Sequence, residues 1–235
     1  MRGLFKLTTT FLIGVIFTLF TGLLFIAEAQ SDDESSLHVG GALRYNMLLT
    51  SYESDIDAQS SQFTMDTWRI NVLYDNPGGI GLNFEYRFYP TFGTHFIKQG
   101  WLQYDFSEQT QMQLGVTQVP FGNLQYNSNN WWFSLPYYVG LEDDHDMGVK
   151  FTKTTDNMQW DFAYFFQADP EGPVCGNGSF GSGGSGRYAY DVIPGGNASL
   201  TERNQFNVRG AYQLDNGEVG ASIQYGQLYN SARDE

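Results

Sequence analysis

From Leu37 onward, apolar and polar side chains alternate with a period of two through nine short segments. This predicts strands at 37–49, 64–75, 80–89, 97–106, 110–119, 146–154, 158–168, 204–214 and 218–228. In Leu82-Asn83-Phe84-Glu85-Tyr86-Arg87-Phe88-Tyr89 the even positions suit an apolar medium and the odd ones suit water. Successive strand side chains leave opposite sheet faces, so each segment has one greasy and one wet side. Trp68, Ile70, Val72 and Tyr74 share one such greasy face, as do Trp160, Phe162, Tyr164 and Phe166, and then Phe206, Val208, Tyr212 and Leu214.

The connections add direction. Those at 76–79, 107–109, 155–157 and 215–217 are tight, with Asn-Pro-Gly-Gly and Asp-Asn-Gly as strong turn formers. Those at 50–63, 120–145 and 169–203 are long, with a moderate link at 90–96. Most strands are near the ~9 to 11 residues that a tilted strand needs to cross a bilayer. Short turns on one side and long loops on the other predict an all-β fold, a transmembrane antiparallel β-barrel of an outer membrane with odd-numbered strands running outward. The competing soluble β-sandwich alternates too, but does not ask for this asymmetry. Trp68, Tyr74, Phe88, Phe106 and Trp160, near strand ends, are expected at the membrane–water boundaries. Nine strands do not close a bacterial barrel, whose count is even, and the chain stops at the polar run Ser231–Glu235, so the sequence is expected to be C-terminally truncated.

At the other end, Arg2 and Lys6 precede an uncharged apolar run, Phe11 to Ile26, and Ala27-Glu28-Ala29 supplies a small-x-small cleavage site before Gln30. This predicts a secretory signal peptide at 1–29, with an uncleaved anchor as the alternative, and one domain over 30–235. Cleavage removes two basic residues and one acid, which moves the net charge from −14 to −15 and makes nucleic acid an improbable partner. Aromatics at 17% need an apolar or interfacial home, unlike those of a disordered acidic chain. Cys175 is the only cysteine, excluding an intrachain disulfide.

Inward positions assigned by parity place Arg44, Arg69, Arg87, Lys150 and Arg209 in the lumen beside Glu85 and Asp161. The acidic excess lies mainly in the mature N-terminus and the connections: Glu53, Asp55 and Asp57 in the first long loop, then Glu142, Asp143, Asp144 and Asp146 at the end of the third outward one. A loop folded inward would set Glu142, Asp143 and Asp144 opposite Arg44, Arg69 and Arg87, giving a transverse field across a constriction. Solvated wall and loop charges are the plainer alternative. Lys98 breaks the pattern. It shares parity with Leu102, Tyr104 and Phe106, and snorkelling at the outer rim is preferred over a bulge near Gln99-Gly100.

The stretch Leu114-Gly115-Val116-Thr117-Gln118-Val119-Pro120-Phe121-Gly122, followed by Asn130-Trp131-Trp132-Phe133-Ser134 and Tyr137–Asp144, resembles porins of the phosphate-selective (O and P) type and their unclassified relatives. The resemblance implies a barrel of about sixteen strands, outer-membrane lipid and small hydrophilic solutes or ions as partners, assembly as a homotrimer, and an inward-folded third loop. Phosphate-selective members line their path with many lysines and this chain offers few, so phosphate selectivity does not carry over. The expected function is a passive channel. A structural or adhesive barrel using loops 50–63 and 169–203 is the alternative.

Other chemistry is thin. Residues 142–146 offer oxygen ligands for Ca²⁺ but lack the spacing and glycine of a dedicated calcium loop, so no metal and no cofactor is expected. His38, His95 and His145 are scattered and are expected at surfaces or interfaces. Asp143, Asp144 and His145 lack an accompanying nucleophile motif, so no enzyme is expected. The sequons at Asn177 and Asn197 are uninformative in a bacterial setting. Trp131 and Trp132 are expected to anchor the third loop to the wall, with sugar stacking as the alternative.

Overall fold

The computed structural model describes residues 35–49, 61–124, 133–170, 187–193, 200–230 and 232–233. The expected signal peptide, the acids Glu53, Asp55 and Asp57, the pair Trp131 and Trp132, Cys175 and both sequons lie outside them. Nine strands are formed: β1 (Ser36–Leu49), β2 (Ser61–Asp75), β3 (Ile80–Tyr89), β4 (Thr94–Ser107), β5 (Thr110–Gln118), β6 (His145–Thr154), β7 (Met158–Ala168), β8 (Leu200–Leu214) and β9 (Gly217–Asn230). Each pairs antiparallel with its successor, giving one all-β sheet in the order β1 to β9. Among the described residues, helix is confined to a 3-10 turn at Pro90–Phe92 and to α1 (Leu135–Tyr138).

The register makes the two faces explicit. Ile80, Tyr104, Met112, Phe151, Phe162, Val208 and Ile223 are successive cross-strand partners from β3 to β9, an unbroken apolar row on one face. One residue away, Asp105, Gln111, Thr152, Asp161, Arg209 and Ser222 form an equally unbroken polar row on the other. The apolar face is the exposed one: Ile223 keeps 73% of its surface and Phe162 49%, whereas Asp161 keeps 2% and Arg209 4%. Burial alternates in step with the pattern, Glu85, Arg87 and Tyr89 being buried in β3 and Asp161, Ala163 and Phe165 in β7.

Five register shifts interrupt this order, four of them toward the end carrying the long connections. Arg44 pairs with Thr67 and Tyr45 with Met65, leaving Asp66 as the extra residue. Glu85 pairs with Gln99 and Tyr86 with Ile97, leaving Lys98. A bulge sets two consecutive residues against one partner and lets both turn the same way. Asp66 and Thr67 are accordingly both buried, as are Lys98 and Gln99. This corrects the rim position expected for Lys98: the bulge places it inward at 1% exposure. In β8 the shift lies between Arg203 and Phe206, where Asn204 takes a φ of 49°. The same bulges explain why β2, β4 and β8 begin three or four residues before their predicted starts, since broken alternation hides a strand end.

Two connections return to the polar face. Val119 is buried with Ala163 and Phe165, and Phe121 packs against them. The Gly122 N–H donates to Ser222 Oγ at 3.0 Å, and Arg209 Nε donates to the Gly122 carbonyl at 3.1 Å, which lays residues 119–122 across β7 to β9. Elsewhere, Tyr137 of α1 joins Tyr89, Phe96, Tyr188 and Ala189 in a second cluster, with Phe133 against it. Gly148 permits close packing beneath: a Cβ there would stand 2.6 Å from Phe165 Cα and 2.7 Å from its ring.

Candidate functional site

Four of the five cations assigned inward find a local acid. Arg44 pairs with Asp66, which its bulge turns inward, and Arg87 Nε donates to Glu85 Oε1. Arg69 lies 3.9 Å from the same Glu85 carboxylate, whose other oxygen accepts from Asn71 Nδ2 at 2.8 Å. Arg87 also donates to Tyr89 Oη at 3.2 Å. Across the sheet, Asp161 accepts from Thr152 Oγ1 at 2.8 Å and sits 3.7 Å from Arg209, which pairs with Glu218 as well. Lys150 Nζ donates to the Gln118 carbonyl at 3.2 Å. Six of these residues are inner-face positions tied into short-range pairs, and Arg69, with 29% of its side chain exposed, is among the more accessible cations.

The three loop acids part company. Glu142 accepts from Ser134 Oγ, the residue that caps α1, and so braces its own connection. Asp143 takes a φ of 56° and projects to Lys98 Nζ, which donates to its Oδ1 at 3.1 Å, while Tyr188 Oη donates to Oδ2. Lys98 Nζ also donates to His145 Nε2 at 2.8 Å, and His145 Nδ1 lies 3.0 Å from the Asp143 carbonyl, a pattern met by one neutral tautomer. The Tyr188 ring carries Lys98 Nζ at 4.5 Å and Arg87 Cζ at 5.4 Å from its centroid. Asp143 therefore reaches the β3–β4 side where Arg87 stands, with Lys98 and Tyr188 between them. His145 is fully buried and His95 is buried against Tyr86, whose hydroxyl lies 2.5 Å from His95 Nδ1, so neither takes the surface position expected of it; His38 is exposed.

Asp144 turns instead toward β6 and β8. One carboxylate oxygen each from Asp144, Asp146 and Glu202 lie within 4.8 Å of one another, all three residues being buried. Burial pushes the Asp144 carboxyl well above its ordinary range, with the neighbouring Asp146 and Glu202 charges acting in the same direction. Beside them, Arg187 Nε donates to Asp169 Oδ1 at 2.6 Å and Arg187 Nη1 to Asp191 Oδ2 at 3.1 Å. Asp169 also accepts from the Tyr188 and Ala189 N–H groups at 2.9 and 3.2 Å. Burial raises its carboxyl to about 6, against the lowering effect of Arg187.

Parity alone places Glu85, Arg87, Asp161 and Arg209 on the polar face of the sheet, and misses Asp66 and Glu202, which enter through bulges or beside one. Nothing local in the sequence marks Asp169, Arg187, Tyr188 and Asp191 either. They come from a long connection whose contacts are set by the strands it joins.

No protein-family model matches the chain, and no curated protein matches it. Among solved structures, it is similar to OmpT of Vibrio cholerae, described as an in-vitro folded outer membrane protein in its trimer form. The identity is 13%, the match covers 84% of this chain and 67% of that one, and the TM-score is 0.40.

Proposed function

We propose that this chain forms the wall of a bacterial outer-membrane β-barrel porin, a water-filled passive path for small hydrophilic solutes. The observation that carries the reading is the pair of adjacent cross-strand rows: seven apolar residues on the exposed face and six polar ones on the other. A soluble sheet buries its apolar face and wets its polar one; here the relation is reversed, as lipid outside and water inside require. The inward return of residues 119–122 and α1 supports a constriction built from the connection after β5. The resemblance of 114–144 to porins of the phosphate-selective type and their relatives agrees, and with it we propose homotrimeric assembly, no cofactor and no catalytic activity.

Planar-bilayer recording of the folded full-length protein tests the reading. Discrete current steps are expected. Well-folded protein that inserts without conducting refutes the pore.

A further inference from the structure

The geometry points to a second kind of site on this chain: we propose that Asp144, Asp146 and Glu202 bind one Ca²⁺, with Thr117 as a neutral oxygen ligand, clamping the connection after β5 to the β8 wall.

Several oxygens of this cluster lack partners among the described residues. Gln205 Nε2 donates to Asp146 Oδ2 at 3.3 Å and the Val192 N–H donates to Glu202 Oε1 at 3.1 Å. Both Asp144 oxygens, Asp146 Oδ1 and Glu202 Oε2 are buried with no hydrogen-bond partner among the described residues. A buried carboxylate oxygen left in that state is strongly unfavourable unless a cation or proton meets it. Separately, Thr117 has 0% exposure and its hydroxyl is also unpartnered. Thr117 is the direct cross-strand partner of Asp146, so both side chains leave the sheet on one face. Thr117 thus offers an unpartnered hydroxyl from the strand position opposite Asp146, on the face that carries these carboxylates, and a shared ligand accounts for both.

Size and charge choose the ion. Oxygens on opposite sides of a Ca²⁺ held at about 2.3 to 2.6 Å stand up to about 5 Å apart. Three carboxylate oxygens, one per residue and all within 4.8 Å of one another, fit that shell. Mg²⁺ holds its ligands at about 2.0 to 2.1 Å and gives up water reluctantly, which suits this buried carboxylate set less well. Arg187 is already engaged by Asp169 and Asp191, leaving the trio without a paired cation among the described residues. Four carboxylate oxygens and one hydroxyl leave room for one or more waters.

The site does not depend on conduction, and its test does not read current. Protein folded in detergent, stripped with EDTA and titrated with CaCl₂ at pH 7.5 by calorimetry is expected to bind one Ca²⁺ per chain. Glu202→Gln and Asp146→Asn should each weaken binding at least tenfold, while Glu108→Gln, in an exposed turn, should leave it unchanged. Because the wild-type titration needs no variant, a misfolded mutant does not obscure the result. Absence of saturable Ca²⁺ binding by the wild type overturns the site and leaves shared protons as the satisfaction of these carboxyls; so does binding that survives both substitutions.

Discussion

Replacing Lys98 with Met is the sharpest probe of how the inner connections are held. The ammonium is 1% exposed, donates to Asp143 and meets His145, and lies over the Tyr188 ring. Met keeps the length and removes the charge, so Asp143, itself 2% exposed, loses its counter-ion and keeps the Tyr188 hydroxyl, with His145 Nδ1 3.8 Å away. Removing one partner of a buried pair costs about 3 to 5 kcal/mol, because the remaining charge stays desolvated. Adding Asp143→Asn removes that charge too and still tolerates the left-handed backbone at this position. The double variant should therefore recover at least about 2 kcal/mol of the loss. Urea unfolding of protein folded in lipid vesicles, followed by tryptophan fluorescence across the four-variant cycle, measures both numbers. A single-variant loss below about 1 kcal/mol with no coupling to Asp143 would refute the buried pair, since such values belong to exposed ion pairs.

Charge reversal at Arg69 should shift the reversal potential toward cations, and the shift should shrink between about 0.1 and 1 M salt as the screening length falls from ~10 to ~3 Å; an unchanged potential rejects its lumen role. Arg87→Glu should instead destabilise the fold, since the new carboxylate would be buried against Glu85, and a normal unfolding midpoint contradicts that. Gly148→Ala should cost about 1 to 3 kcal/mol by overpacking against the Phe165 backbone and ring, measured by the same unfolding assay; a neutral result means the sheet yields there freely. Asp169 has a folded value of about 6 against an ordinary 3.8, so its favourable contribution is complete below about pH 4 and is lost as pH rises through about 6. Asp169→Asn should flatten that part of the stability–pH curve, and an identical slope in both proteins removes the assignment.

The strands were legible because period-two alternation survives wherever one ladder runs unbroken, as from Ile80 to Ile223. Arg87, Asp161 and Arg209 could be placed by parity for the same reason. Lys98 could not, because a bulge inserts one residue without leaving a mark in composition, and every residue beyond it changes face. Glu202 sits beyond a comparable shift. The pairing of Asp143 with Lys98 spans 45 residues and that of Asp146 with Gln205 spans 59, separations at which neither pattern nor spacing carries information.

The bond from Gly122 to Ser222 joins positions 100 residues apart, and Arg209 grips the same glycine. An anchorage on β8 and β9 exists only once those strands have been laid down, so Gly122 stays unfastened until four later strands have assembled. Closing such a distant contact is entropically slow. In the proposed pore the narrowing would thus be fastened only after β8 and β9 are in place, and a chain arrested before its eighth strand would carry Gly122 without either anchor.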